Sequence, residues 1–329
     1  MQNKKLKIAI QMDDITSIKP KTDSSLLLGL GAQKRGHQIF IYQPQEAFLL
    51  NNELFATLHE TTLFDDQTKW HEENLKNEKA RIVPLSEMDV ILIRQDPPFD
   101  LSYITYTYWL EQLPRTLVLN PPRALRDCPE KLFVTHFPEY TPPTLISSDP
   151  QIIADFHRNH EDIVLKPLYS FGGQDVFHID KNSDNLDAII SALLRLHNSP
   201  IIAQAFLKAV IEKGDTRVIM IDGEIAGILK RIPKENSIRA NLAAGGRGEK
   251  GSLTEREHEC CITVGRELKK RGIILAGIDL IDDHLIEINI TSPTGLRAIN
   301  ALTGANLEQQ FWDVAENIFQ QKNKKHAME

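Results

Sequence analysis

Gly277-Ile278-Asp279-Leu280-Ile281-Asp282-Asp283-His284-Leu285-Ile286-Glu287-Ile288-Asn289-Ile290 alternates apolar and polar residues on either side of an acidic turn. A period of two is the mark of paired strands with one dry face. Ile286, Ile288 and Ile290 share a face of the second strand, and Ile278 and Leu280 share a face of the first. If all five enter the core, Asp279, Glu287 and Asn289 must gather on the opposite face. Opposed residues then sum to an even number, Leu280 meeting Ile286. That register predicts an odd loop at Asp282-Asp283-His284 and not a two-residue Asp-Asp turn. Two carboxylates and an amide oxygen are hard ligands suited to magnesium, which keeps several waters and takes up phosphate oxygens. Alternating polar residues on a generic strand simply face solvent. Here Thr291-Ser292-Pro293-Thr294-Gly295 follows at once, bringing hydroxyls and backbone donors ahead of the next helix, and favours a ligand site.

Working upstream, a second hairpin spans 216–230, with the strong turn pair Asp222-Gly223 between its strands. Residues 232–251 are polar and glycine-rich and read as a long mobile loop. Thr254-Glu255-Arg256-Glu257 is a capping box that starts a helix stopped by Gly272. A last helix begins near 306. Before these lie a strand at 163–166 ending in Lys166-Pro167, a glycine turn at Gly172-Gly173, a strand at 176–179, a helix at 185–196 and a strand at 201–204. A glycine turn between strands can lay its backbone N–H groups against phosphates, since no Cβ blocks the approach. The first third alternates strands (6–12, 38–42, 90–94, 116–120) with helices, the pattern of a parallel sheet flanked by helices. Asp23, Ser24 and Ser25 precede its first helix, and Gly36 ends it.

The whole is an α/β chain: an N-terminal parallel-sheet lobe over 1–122, then a two-lobed unit over 123–207 and 208–329, with 232–251 as a lid. A chain of 329 residues exceeds what one core usually supports, so several lobes are expected. Net charge is −7, which argues against nucleic acid as a partner, although residues 217–250 hold seven basic and four acidic residues. No apolar run is long enough for a bilayer, and the N-terminus lacks a signal-peptide stretch, so a cytoplasmic protein without a membrane partner is expected. Cys128, Cys260 and Cys261 form no zinc spacing and suggest reduced, packed thiols. A GxxxxGK[ST] phosphate loop is missing. Gly29, Gly31 and Gly36 have the wrong spacing for a dinucleotide fingerprint and read as helix packing and a helix end.

At several blocks the sequence resembles the ATP-grasp superfamily, and within it the bacterial glutathione synthetases. The similarity runs from Met12-Asp13 to the final helix. It includes Arg94-Gln95-Asp96-Pro97-Pro98-Phe99-Asp100, Leu125-Arg126-Asp127-Cys128-Pro129-Glu130-Lys131, Leu165-Lys166-Pro167-Leu168, Asn241-Leu242-Ala243-Ala244-Gly245-Gly246 and Glu287-Ile288-Asn289. The chain departs from the family pattern at Tyr169-Ser170-Phe171 and at Ala240.

The resemblance implies ATP held between two small sheets, and synthesis of glutathione from γ-glutamylcysteine, glycine and ATP through an acylphosphate. It implies ATP contacts from Lys131, Lys166, Gly172, Gly173, Gln204, Phe206, Leu207 and Asp215. Magnesium, with manganese as the alternative, would sit at Asp279, Glu287 and Asn289. Arg217, Arg231 and Arg239 would stabilise charge developing in the reaction. Asp23, Ser24, Ser25, Arg94, Asp96, Gly245, Gly246, Ser292 and Thr294 would bind the peptide substrate, and a homo-oligomer, often a tetramer, is implied. The rivals are another ATP-grasp carboxylate–amine ligase and a catalytically idle ATP-binding regulatory module.

Overall fold

The computed structural model describes residues 4–65, 79–234, 240–241 and 245–328. Among these residues the strands assemble into three sheets. The first contains β1 (Lys7–Gln11), β2 (Gln38–Tyr42), β3 (Ala47–Leu50), β4 (Glu53–Thr61), β5 (Lys79–Pro84), β6 (Val90–Ile93) and β7 (Leu117–Leu119). The order β2-β1-β6-β7 is parallel, as the strand–helix alternation predicts. The strands β3, β4 and β5 extend it in antiparallel fashion, which makes the sheet mixed. Their signal lies in the alternation of Leu54, Ala56 and Leu58, all three buried, along β4.

Helix Ser24–Lys34 lies on this sheet, with the Asp23 carboxylate accepting the Leu26 N–H at 2.6 Å. Its residues 24–32 are all buried, because the C-terminal helix Leu307–Met328 packs on its other side. A Cβ on Gly31 would come within 2.9 Å of Glu308 Cγ, and one on Gly29 within 2.4 Å of Leu63 Cδ1. These glycines therefore serve close packing, as their spacing predicts. Trp312 is wholly buried at this contact and its indole N–H donates to Leu28 O at 2.7 Å. Phe311 beside it, 2 % exposed, adds the ~1.5–3 kcal/mol expected for a buried side chain of its kind.

The second sheet has the order β10-β9-β11-β8, built from β8 (Thr144–Ser147), β9 (Ile163–Pro167), β10 (Phe177–Ile179) and β11 (Ile201–Ala205). Helices Pro150–His160 and Leu186–His197 supply Ile153, Ile190 and Leu193 to its core. The third has the order β14-β13-β12-β15-β16, from β12 (Asp215–Ile221), β13 (Glu224–Ile232), β14 (Arg247–Lys250), β15 (Leu275–Ile281) and β16 (His284–Asn289). Helix Glu255–Lys270, with both halves of its capping box formed, packs Cys260, Cys261, Val264 and Leu268 against that sheet.

Two expectations need correction. The turn between β15 and β16 is the two-residue Asp282-Asp283 pair, both at positive φ, and not an odd loop. The even register at Asp279–Glu287 is restored by a bulge beside Asp279/Leu280, which makes Leu280 pair with Leu285. Consequently Leu285 enters the core, while Ile286 turns to the opposite, cavity-lining side. A bulge adds one residue to one strand and switches faces beyond it, which simple alternation cannot anticipate. The second correction concerns 232–251: Ile232 ends β13, and Arg247–Lys250 is a strand paired with it. Residues 235–239 and 242–244, including Arg239, lie outside the described residues.

The first and third sheets are joined through the Asn120 side chain. Its amide donates to Leu275 O and Ile290 O, each at 2.7 Å, and accepts from the N–H groups of Ile274 and Leu275. With both amide atoms engaged, Asn120 can stay 6 % exposed without a desolvation penalty. No helix among the described residues is long and apolar enough to cross a membrane.

Candidate active site

A cavity of about 320 Å³ opens between the second and third sheets. One wall carries Lys166 and Gln204 on neighbouring strands β9 and β11, with Gly172, Gly173, Phe206 and Leu207 beyond their ends. The other carries Asp215, Arg217, Arg231, Asp279, Glu287 and Asn289 from four adjacent strands. Asp96, Ser292 and Thr294 line its first-lobe side.

The third-sheet wall is an ion network fixed by register, since Arg217 is paired with Asp279, Asp279 with Glu287, and Asp215 with Arg231. Arg217 grips Asp279 with two hydrogen bonds of 2.5 and 2.8 Å, and also donates to Thr294 O at 3.1 Å. Arg231 grips Asp215 at 2.6 and 2.8 Å and reaches Asp279 at 3.0 Å. Burial alone would push the Asp279 carboxyl up, but the two guanidiniums outweigh it and hold it at about 2. The carboxylates likewise hold the Arg231 guanidinium charged despite its burial. Bidentate pairing leaves both arginines as oriented, permanent cations.

Across the cavity, Lys166 donates to Gln204 Oε1 at 3.1 Å, and Gln204 donates on to Thr144 Oγ1 at 2.8 Å. Burial lowers the Lys166 pKa. Lys131 does not line the cavity wall itself; it sits behind, bonded to Glu130 and to Ser170 O and 3.7 Å from Glu287. Its position follows from the backbone, because Ile288 N–H of β16 donates to Glu130 O at 3.1 Å. Glu287 and Glu130 outweigh burial and raise the Lys131 pKa.

Asp279, Glu287 and Asn289 do share one face, and the Asn289 amide lies 3.3 Å from Asp279 Oδ2. Among the described residues no three His, Cys, Asp or Glu side chains close into a metal cage. A set of two carboxylates and one amide leaves positions for water and phosphate, which fits magnesium and does not suit zinc.

Asp23, Ser24, Ser25 and Arg94 lie behind the cavity. Arg94 donates to Ser25 Oγ at 3.0 Å and to Pro293 O at 3.1 Å, and Ser292 donates back to Arg94 O at 3.2 Å. This ties the first lobe to the 291–295 loop. Gly245 and Gly246 do not line the cavity, whereas Ala240 and Asn241 do. A Cβ on Gly246 would meet Ala240 O at 2.1 Å, so only glycine permits this approach to Ala240. Sequence reasoning missed Glu130, Asn241, Ile281 and Ile286 as lining residues. Glu130 stands next to Lys131 in sequence, but only the β16 contact turns it inward. Cys128, Cys260 and Cys261 are buried, and burial pushes the first two thiols up to about 11 and about 12.

Two small antiparallel sheets face each other across a cavity with lysine on one wall and arginine–carboxylate pairs on the other, the architecture of the ATP-grasp fold. Solved structures bear out the fold. The chain resembles D-cycloserine synthetase DcsG with a TM-score of 0.68 at 14% identity, over 95% of this chain and 99% of that one. It resembles the ATP-grasp ligase PsnB, complexed with a minimal-precursor variant, Mg and ADP, with a TM-score of 0.58 at 16% identity, over 95% and 99%.

Family models give the finer answer. Residues 6–126 match the prokaryotic glutathione synthetase N-terminal domain, and residues 130–304 match the prokaryotic glutathione synthetase ATP-grasp domain. The glutathione synthetase of Mesorhizobium japonicum is 46% identical over 95% of this chain and 98% of its own length. That of Shewanella oneidensis is 40% identical over 94% and 98%. The chain belongs to the prokaryotic glutathione synthetase family.

Proposed function

We propose that this protein joins γ-glutamylcysteine to glycine with consumption of ATP, releasing glutathione, ADP and phosphate. The observation that carries the reading is the facing of Lys166 and the Gly172-Gly173 turn against Arg217, Arg231, Asp279 and Glu287 across one cavity. The cysteinyl carboxylate attacks the γ-phosphorus of ATP, and the bond to the β–γ bridging oxygen breaks as ADP leaves. Glycine's amine then attacks the acyl carbon, loses a proton, and phosphate departs. No step needs a protein nucleophile, in keeping with three buried thiols.

Lys166 neutralises the phosphates, with Lys131 adding its charge from behind the wall, while Gly172 and Gly173, both at positive φ, let backbone approach them. Gln204 to Leu207 border the base, and Phe206, tilted against His178 at 4.0 Å, offers an apolar surface. Asp215 serves here as the anchor of Arg231. Asp279, Glu287 and Asn289 would hold magnesium, with manganese as the alternative, and the ion would supply charge neutralisation at the phosphates. Arg217 and Arg231 present fixed donors to the acyl oxygens. Asp96, Ser292 and Thr294 contact the dipeptide, with Arg94, Ser25, Ser24 and Asp23 holding that side in place. The stretch between Ile232 of β13 and Arg247 of β14, with Arg239, Gly245 and Gly246, is proposed as a lid to exclude water from the acylphosphate. Trypsin cleavage at Arg239, slowed by ATP, magnesium and substrate, tests the lid.

The deciding experiment is ADP release dependent on both γ-glutamylcysteine and glycine. Release with another carboxylate–amine pair alone would move the chain to a different ligase of the class. Nucleotide binding without any release would make it a regulatory module. The proposal extends to a cytoplasmic homo-oligomer, with a tetramer as the form to test by light scattering after gel filtration.

A further inference from the structure

The Tyr169–Gly173 turn belongs to the second sheet's lobe, yet its nearest aromatic neighbour belongs to the first. Tyr169 stacks on Phe99 with ring centroids 6.2 Å apart and planes 23° from parallel. Phe99 in turn lies 5.2 Å from the ring of Tyr103, which is 2 % exposed. Tyr103 is fixed on helix Leu101–Glu111, whose N-cap Asp100 accepts the Tyr103 N–H at 2.8 Å. Its phenol sits within electrostatic reach of Arg94 and Asp96, the polar group on the first-lobe side of the cavity. A three-ring series thus runs from that polar group to the residue beginning the glycine turn. Beneath the outer pair is a recess of about 20 Å³ lined by Pro97, Leu125, Leu168 and Ile290, so the stack closes over apolar surface. One residue further along, Ser170 O accepts from Lys131 Nζ at 2.5 Å.

The glycines themselves cannot hold the turn, since Gly172 and Gly173 lie at φ +64° and +74° and bring no side chain. We infer that Tyr169, through its stack on Phe99, is the positioning residue by which the first lobe holds the phosphate-covering turn over the nucleotide. The inference rests on the ATP-ligase reading above. Tyr169 touches no reacting atom. It acts by reducing the conformational freedom that the turn would otherwise lose when ATP binds.

The test compares Tyr169→Ala and Tyr169→Phe in the full chain, with Phe99→Leu as the second partner. Tyr169 is 41 % exposed, so truncating it spares the core. Tyr169→Ala is expected to raise KM for ATP and the Kd for a non-hydrolysable ATP analogue by about tenfold, the upper reach of one aromatic pair. Its kcat should change less than KM. Tyr169→Phe should restore wild-type values, and adding Phe99→Leu to Tyr169→Ala should cost nothing further. A wild-type KM and Kd in Tyr169→Ala, or full additivity with Phe99→Leu, overturns the inference. Analogue binding reads the turn even if wild-type protein releases no ADP, so failure of the ligase reading would be separately visible.

Discussion

Lys166 and the Arg217–Arg231 pair are both buried cations of one cavity, but their partners differ. Lys166 faces a neutral amide, Gln204 Oε1 at 3.1 Å. The arginines face carboxylates, Asp279 and Asp215, with two hydrogen bonds each. Removing an ammonium from water without a directly bonded carboxylate disfavours its charged form, and burial accordingly lowers the Lys166 pKa. On the proposed function, an arriving phosphate would favour the charged form again, so the second-sheet wall would attract its ligand by charge. The third-sheet wall is neutralised beforehand. It contributes donors already aimed, which favours positioning over attraction.

The sharpest way to break this contrast is to remove one charge from each wall. Asp279→Ala leaves two buried guanidiniums short of a partner and should destabilise the fold by about 3–5 kcal/mol. Lys166→Met should leave the melting temperature equal or higher while weakening binding of a non-hydrolysable ATP analogue at least about tenfold. Equal losses of stability in denaturant melts would show that the two walls do not differ.

Glu287 probes the third wall's chemistry apart from its scaffolding, since no arginine depends on it. Glu287→Gln should fold normally and lose about a hundredfold or more in turnover, roughly 3 kcal/mol in the barrier. Near wild-type kcat at saturating magnesium would remove Glu287 from the metal.

A smaller effect is expected with pH. The native Lys166 pKa lies below its ordinary 10.5, so between the two values the unfolded chain binds more protons. There Lys166's contribution to stability rises with pH, while its attraction for phosphate falls. Analogue affinity should therefore decline on an alkaline limb beginning below pH 10.5, and Lys166→Met should abolish that limb. An unchanged limb in the variant would assign the titration to another group.

The smallest change in activity should follow replacement of Cys128, Cys260 and Cys261 together by alanine. Thiols pushed up to about 11 and about 12 at Cys128 and Cys260 hold almost no thiolate near neutrality. Turnover should stay within about twofold, with ~1 kcal/mol of stability lost per thiol. An inactive but folded triple variant would require a thiol in the mechanism.

Much of this molecule could be read along the chain because its signals are local. Asp23 caps the first helix, Thr254 and Glu257 form their capping box, and Asp222-Gly223 turns the hairpin it predicts. Alternation placed Asp279, Glu287 and Asn289 on one face, and the register agrees. Tertiary structure decided whatever depended on a count of residues across strands or on contact between distant segments. The bulge beside Asp279 reassigned Ile286 from core to cavity, since one inserted residue reverses the side-chain parity. Lys131 meets Glu287, far along the chain, because β16 folds against Glu130, a contact no local pattern encodes. The pairing of Arg217 with Asp279, and so the fixed charge of the active wall, likewise exists only once β12 lies beside β15.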